Sequence, residues 1–296
     1  MDRRRFLHAT AGLAAGGLAW MSAGCASDAG SSDADASAGS SAMASGGART
    51  LEAIGVQLYT LRSLLSDDFE GTMRTVADLG FDEVEFAGYY DRRPDEVRSL
   101  LDELGLTAPS THVPLGVLRD DPDRVIQTAQ AVGHEYVICP WLAPSERGSM
   151  ARYRELASFF NELGGQMREA GLQFGYHNHA FEFEAIDGER PYDVLLNATD
   201  PELVTMELDL YWVVQAGYDP LTYFEQHPGR FALSHVKDRT SDGAMVAVGE
   251  GAIDFASIFA RSGQAGMERY IVEHDNPDDP IASIRSSYEY LSQLQF

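Results

Sequence analysis

The stretch GFDEVEFAGYYDRRPDEVRSLLDELGLTAPSTH, residues 80–112, contains the repeating unit that decides the fold. A short β-rich run at 83–86 is followed by an amphipathic helical segment at 94–104 and by a second β-rich run at 107–111. Gly105 stands just past the helical segment, where a glycine commonly ends a helix. A strand, a helix and a second strand in this order form a crossover unit of a parallel sheet.

The same alternation continues from residue 51 to the end of the chain. Eight strands are predicted, at 54–58, 83–86, 107–111, 136–139, 173–177, 203–208, 231–236 and 270–273. Helical segments are predicted at 69–79, 94–104, 123–132, 153–170, 220–226, 255–262 and 281–294. Helix ends are marked by Gly80, Gly105, Gly133 and Gly171. This repetition predicts an α/β fold, a single (β/α)8 TIM barrel over residues 49–296.

Composition limits the classes of partner. The chain has 296 residues, 44% of them hydrophobic, which is enough for one sizeable core. Its formal net charge of −24 argues against binding to nucleic acid or to anionic membrane surfaces. Its two cysteines, Cys25 and Cys139, lie one before the barrel and one within it, so no disulfide is predicted inside the barrel. Cys139 lies in an apolar run and is predicted to be a buried structural thiol.

The first 48 residues are predicted to be an export signal and a flexible linker rather than part of the barrel. Arginines at 3–5 precede Phe6, Leu7 and a weakly apolar stretch, which resembles a twin-arginine export signal over residues 1–25. The sequence before Cys25 resembles a lipoprotein processing site, with cleavage without a lipid as the alternative. Residues 26–48 are nearly all Ser, Ala, Gly and Asp, a composition that predicts a flexible linker. We expect a periplasmic protein or, if Cys25 carries a lipid, a lipoprotein anchored to the membrane by that lipid alone.

Polar residues follow the predicted strands at the end where barrel enzymes place their active sites. Burying so many polar groups at one rim without partners would be costly, which favours a functional site over chance. The residues concerned are Gln57, Tyr59, Glu85, His112, Trp141, His177, Asn178, His179, Glu207, Asp209, His235, Lys237, Asp238, Glu273, His274 and Asp275.

Alternation along a strand places residues two apart on one face. His177 and His179 therefore share a face, and the same holds for Glu207 with Asp209. One histidine or carboxylate from each of the last four strands would form a mixed nitrogen and oxygen site. Such a site suits one divalent ion, and Mn²⁺, Co²⁺, Mg²⁺ and Zn²⁺ all remain open.

Seven motifs together resemble a known superfamily over the whole predicted barrel. They are GVQLYTLR (55–62), VEF (84–86), YHNH (176–179), LD (208–209), HVKD (235–238), GEGAIDF (249–255) and VE (272–273). They are similar to motifs of the sugar phosphate isomerase/epimerase superfamily, which has xylose isomerase-like barrels and includes tagatose epimerase and inosose dehydratase. The superfamily holds its metal with a Glu, an Asp, a His and a second Glu from the last four strands.

Carried over by this resemblance, the metal ligands are Asp209, His235 and Glu273, and the first glutamate falls on His177. This departure matters because epimerases of the superfamily use two metal-side glutamates on opposite faces of the sugar. The Tyr-His-x-His pattern instead resembles the dehydratase-like and keto-glycoside lyase branches.

The mechanism expected from this set is removal of the proton next to a sugar carbonyl. Glu273 or His179 is the expected base, and Lys237 the donor to substrate oxygens. His112 and Glu85 are expected to orient hydroxyls or to act as the acid. The residues expected to contact the sugar are Gln57, Glu85, Asn178, Trp141 and Trp212, although core packing is an equal reading for both tryptophans.

The leading interpretation is a sugar isomerase or epimerase acting on a small carbohydrate. A keto-glycoside lyase or dehydratase, which would eliminate a leaving group after the same first step, is the alternative. An exported sugar-binding lipoprotein without catalysis is a third reading, and assembly into homo-oligomers stays open. Export and the lack of a phosphate-loop motif favour free sugars over phosphorylated ones.

Overall fold

The computed structural model describes residues 48–296. The predicted export signal at 1–25, including Cys25, and all but the last residue of the predicted linker at 26–48 lie outside the described residues. Within the described part, no helix has the length and apolar character needed to cross a membrane.

Eight parallel strands form a closed barrel in the order β1-β2-β3-β4-β5-β6-β7-β10, with β10 pairing back onto β1. The barrel strands are β1 (Gly55–Gln57), β2 (Glu83–Phe86), β3 (Thr107–His112), β4 (Tyr136–Cys139), β5 (Gln173–His177), β6 (Val204–Asp209), β7 (Leu233–Val236) and β10 (Arg269–Val272). The strands β8 (Asp238–Arg239) and β9 (Met245–Val246) form a separate small hairpin. The predicted barrel is confirmed, and each predicted strand end lies within two residues of the observed one.

Helices follow the strands and cover the outside of the barrel. They are α1 (Arg62–Asp67), α2 (Phe69–Leu79), α3 (Pro94–Leu104), α4 (Leu115–Asp120), α5 (Pro122–Val132), α6 (Met150–Glu169), α7 (Pro191–Ala198), α8 (Leu210–Gln215), α9 (Pro220–Gln226), α10 (Phe255–Phe259), α11 (Ser262–Ala265) and α12 (Pro280–Leu291). The four predicted glycine stops all have positive φ, at 101° for Gly80, 70° for Gly105, 93° for Gly133 and 78° for Gly171. The predicted segment 255–262 is divided in the structure between α10 and α11.

The core lies between the sheet and the helices. Apolar residues on the inner faces of the helices pack on outward-facing strand residues, as Phe160 of α6 does on Phe174 and Tyr176 of β5. Cys139 is buried in this layer as a free thiol, as predicted, and burial raises its pKa to about 12.

The strand register brings polar residues of neighbouring strands to one height in the barrel. Gln57 lies opposite Glu85, His177 opposite Glu207, and Asp209 opposite His235. Because side chains alternate along each strand, residues at matched positions project to the same side.

The segment after the β8–β9 hairpin is held by a single buried carboxylate. Asp238 accepts hydrogen bonds from the backbone N–H groups of Gly249 (2.9 Å), Gly251 (3.0 Å) and Ile253 (3.2 Å). A Cβ at Gly251 would collide with this carboxylate, so glycine is required there. This contact joins the HVKD and GEGAIDF motifs in the structure.

Candidate metal centre

Four side chains from four neighbouring strands converge at the carboxyl end of the barrel. His177 ends β5, Asp209 ends β6, His235 lies in β7 and Glu273 directly follows β10. Each of the four residues offers one potential ligand atom, and these four atoms all lie within 4.8 Å of one another. All four residues are buried. The structure thus brings together the four residues that the sequence suggests as ligands, while metal binding by them stays a prediction.

Both histidines are oriented as metal ligands usually are. His177 donates from Nδ1 to the carbonyl oxygen of Pro140 (3.0 Å), which leaves Nε2 facing Asp209 Oδ2 (3.2 Å). His235 donates from Nε2 to Glu85 Oε1 (2.7 Å), which leaves Nδ1 facing Glu273 Oε2 (2.8 Å). Metal-bound histidines commonly donate their other N–H to a carbonyl or carboxylate in this manner. The two nitrogens and two carboxylate oxygens therefore fit one divalent ion, and their chemistry admits several metals.

Lys237 is the only lysine in the 296-residue chain, and its side chain lies in this site. Its Nζ is 2.9 Å from Asp209 Oδ2, 2.6 Å from Glu273 Oε2 and 2.9 Å from Asp275 Oδ1. Burial opposes a charge on this amine, but the three carboxylates raise its pKa well above the ordinary value. In return, Lys237 and His235 hold the pKa of Glu273 well below its usual range despite burial.

A second cluster, which we call the inner network, lies against His235 and consists of Gln57, Glu85, His112 and Glu207. His112 Nε2 is 2.6 Å from Glu207 Oε2 and 3.0 Å from Glu85 Oε1, and Gln57 donates to the same Glu85 oxygen. Burial opposes a charge on His112, but the two glutamates raise its pKa to about 9. Glu85, His112, Glu207 and His235 are also close enough to be metal ligands, although Nε2 of each of the two rings is already paired with a glutamate of this group.

A cavity of about 450 Å³ opens above these groups. Its wall contains eight of the residues expected at the strand ends, namely Tyr59, His112, Trp141, His177, His179, Lys237, Glu273 and Asp275. A larger cavity of about 670 Å³ lies beside α3, α4 and α5, but its wall contains none of them. We therefore take the smaller cavity as the candidate substrate site, since titratable groups converge there.

The other predicted contact residues lie behind this wall. Gln57, Glu85 and Asn178 are fully buried, and Asn178 accepts a hydrogen bond from the backbone N–H of Asp209 (3.0 Å). Trp212 packs against His179, with ring centroids 5.5 Å apart. Their positions favour a supporting role, and contact with a sugar stays a prediction for each.

Two residues of functional interest, Glu182 and Asn276, were missed from the sequence. Glu182 is fully buried, and accepts hydrogen bonds from the backbone N–H of His179 (2.8 Å) and from the Tyr176 hydroxyl (2.5 Å). Burial raises its pKa to about 7. Asn276 lines the cavity, next to the expected strand-end residue Asp275. The signal for Glu182 is its place in YHNHAFEF, where an acidic residue stands between two phenylalanines.

Comparisons with known proteins agree with the barrel fold. A family model described as a xylose isomerase-like TIM barrel matches residues 73–294. An inosose dehydratase from Geobacillus kaustophilus is 23% identical over 282 residues, covering 80% of this chain and 88% of that protein.

Solved structures show the same fold. A sugar phosphate isomerase/epimerase from Parabacteroides distasonis is 25% identical, with a TM-score of 0.72, and the match covers 82% of this chain and 94% of that one. The IOLI protein, whose crystal structure has a bound zinc atom, is 13% identical with a TM-score of 0.65, covering 80% and 95%. The second likeness shows the fold alone.

Proposed function

Because the chain belongs to the xylose isomerase-like TIM barrel family, we propose that it is a metal-dependent enzyme that removes the proton next to the carbonyl group of a sugar. The observation that carries this proposal is the convergence of His177, Asp209, His235 and Glu273 beneath a cavity lined by further acid and base groups. A divalent ion in this site would act as a Lewis acid on the carbonyl and the neighbouring hydroxyl.

The side chains supply the remaining chemistry. Glu273 and His179 both line the cavity, and each is a candidate for the base. Lys237 is held as an ammonium by three carboxylates, so it can donate to the oxygen on which negative charge develops. The carboxylates already fix the position of the Lys237 ammonium, so this donor needs little reorientation when charge develops on the substrate oxygen.

Elimination is the outcome that we favour after proton removal. His112 lines the cavity with its Nε2 turned to Glu207 and Glu85, and these glutamates keep the ring protonated at neutral pH. A protonated imidazole in the cavity wall is suited to protonate a departing oxygen. By the resemblance, His177 stands where epimerases of the superfamily have the first of their two metal-side glutamates, and an inosose dehydratase is among the relatives. Isomerisation or epimerisation is the alternative, supported by the isomerase/epimerase neighbour.

Proton exchange in heavy water tests the shared first step. The metal-depleted protein is supplied with Mn²⁺ and incubated with keto-sugars and keto-glycosides, and the signal of the carbon next to the carbonyl is followed by NMR. Exchange with release of the leaving group supports elimination, while exchange with a rearranged sugar supports isomerisation. Tight binding of these sugars without exchange would contradict the proposal and favour a sugar-binding protein.

Two variants link the activity to the metal. We expect Asp209→Asn and His235→Ala to lose bound metal and exchange together while the circular dichroism spectrum of the barrel is kept. An Asp209→Asn protein that is active without metal would contradict the assignment.

A further inference from the structure

Exposed aromatic rings stand at the mouth of the candidate cavity. Among residues 48–296, three large hydrophobic side chains are exposed: Tyr59 (42%), Trp141 (44%) and Val117 (47%). Tyr59 and Trp141 both line the candidate cavity, whereas Val117 lines the larger cavity beside α4. Exposed apolar side chains bordering a polar site commonly mark a surface that binds a ligand.

The two rings reach the mouth from different parts of the barrel. Tyr59 lies in the 3-10 turn that follows β1, and Trp141 follows β4. Because β2 and β3 lie between these strands, the rings rise from separate sectors of the rim. The cavity therefore has a polar floor, where His177 is 2% and Glu273 5% exposed, and an aromatic entrance.

Each ring is covered by an arginine that is itself fixed. The Arg62 guanidinium lies 4.1 Å from the centre of the Tyr59 ring and donates to the carbonyl oxygen of Asp275 (2.7 Å). The Arg147 guanidinium lies 4.9 Å from the Trp141 ring and donates to the carbonyl oxygen of Leu142 (2.8 Å). These contacts orient the rings and still leave more than two fifths of each side chain exposed. Surfaces ordered before binding lose less entropy when a ligand arrives.

We infer that Tyr59 and Trp141 form a subsite for the leaving group, and that the substrate is a keto-glycoside whose aglycone presents a flat apolar face. The inference rests on the proposed function, since it places the reacting carbon over the polar floor. The base takes the proton next to the carbonyl, and that electron pair forms a carbon–carbon double bond. The bond from the adjacent carbon to the aglycone oxygen breaks, and this oxygen receives a proton from His112.

A benzyl and a methyl keto-glycoside test the subsite, because their alcohols are similar as leaving groups and differ in the flat ring. The wild-type protein should show a higher kcat/KM for the benzyl compound. Trp141→Ala and Tyr59→Ala should each reduce this preference by roughly 2- to 12-fold, the effect of one aromatic contact. Val117→Ala, which removes an equally exposed side chain at the other cavity, should leave the preference unchanged.

Calorimetric binding of unoxidised benzyl and methyl glycosides gives a readout that needs no turnover. Tighter binding of the benzyl compound, lost in a Tyr59→Ala/Trp141→Ala variant, supports the subsite even if no proton exchange is found, in which case the proposed function alone fails. Equal binding of both glycosides by the wild-type protein, or a benzyl preference that survives in the double variant, overturns the inference. Trp141→Leu, with thermal unfolding measured beside it, replaces Trp141→Ala if the latter misfolds.

Discussion

Replacing Lys237 by methionine tests how the carboxylates of the site are neutralised. The substitution nearly conserves side-chain length and volume but removes the ammonium that lies 2.9 Å from Asp209 and 2.6 Å from Glu273. Removing one partner of a buried ion pair typically costs about 3–5 kcal/mol, because the other charge is left uncompensated. Asp275 is 24% exposed and adds less, since water screens its charge.

In EDTA this loss should be visible as a lower melting temperature. For a domain of this size, 1 kcal/mol corresponds to roughly 2–4 °C, so the Lys237→Met protein should melt roughly 6–20 °C below the wild type. Arg62→Met is a matched control, because its guanidinium donates to Asn276 and to backbone carbonyls rather than to the site carboxylates. We expect its melting temperature to change by only a few degrees.

Added metal should reverse much of the deficit. A divalent ion brings positive charge to the same two oxygens, and a ligand at 100 times its dissociation constant stabilises a protein by about 2.7 kcal/mol. Thermal unfolding followed by circular dichroism during a Mn²⁺ titration should therefore show a larger gain for Lys237→Met than for the wild type. Proton exchange should stay low in the loaded variant, since the donor is gone. Equal melting of the two proteins in EDTA, or equal gains with Mn²⁺, would refute this reasoning.

Three further predictions concern other parts of the chain. Burial lowers the pKa of His134 from 6.5 to about 4, so its contribution to stability is present above pH 6.5 and is lost as the pH falls through 4. Between pH 7.5 and 5.5, the free energy of unfolding measured in urea should fall by about 1.3 kcal/mol more for the wild type than for His134→Gln. Parallel pH profiles of the two proteins would contradict this. Glu182→Gln should lower the free energy of unfolding by about 1–3 kcal/mol, because either the N–H of His179 or the Tyr176 hydroxyl loses its acceptor. The same change should reduce kcat more than metal affinity. Glu184→Gln, at an exposed position, is the control, and an unchanged kcat in Glu182→Gln would argue against a positioning role. If residues 1–25 are a twin-arginine signal, as we propose, lysines in place of Arg3 and Arg4 should retain the protein in the cytoplasm, and export that continues would count against it.

The barrel could be predicted because its signals are local. Runs such as 173–177 alternate with helices long enough to show a helical period, and glycines such as Gly105 mark where those helices end. Four short helices, α1, α4, α7 and α8, were not predicted. Helices α1, α4 and α8 have 6 residues each, fewer than two turns, and α7 has 8, little more than two turns. Their positions are decided by packing against the barrel rather than by periodicity.

The candidate site divides in the same way. Barrel geometry limited the candidate ligands to polar residues at the strand ends. The resemblance to the superfamily then selected His177, Asp209, His235 and Glu273 among them. Glu182 was missed because a carboxylate between predicted strands and helices is usually exposed, and only its position between two phenylalanines hints at burial. The ring orientation of His177 depends on the carbonyl group of Pro140, which directly follows β4. No pattern in the sequence predicts this contact.

The solitary lysine gives this chain an unusual chemical handle. All other basic side chains apart from histidine are arginines, so reagents that acylate primary amines have one ε-amino target besides the chain terminus. That target is 1% exposed and clamped by three carboxylates, so it should be acylated only during transient opening of the barrel mouth. The rate at which the adduct on Lys237 accumulates, read by mass spectrometry of the peptide that contains it, then measures how often the barrel mouth opens.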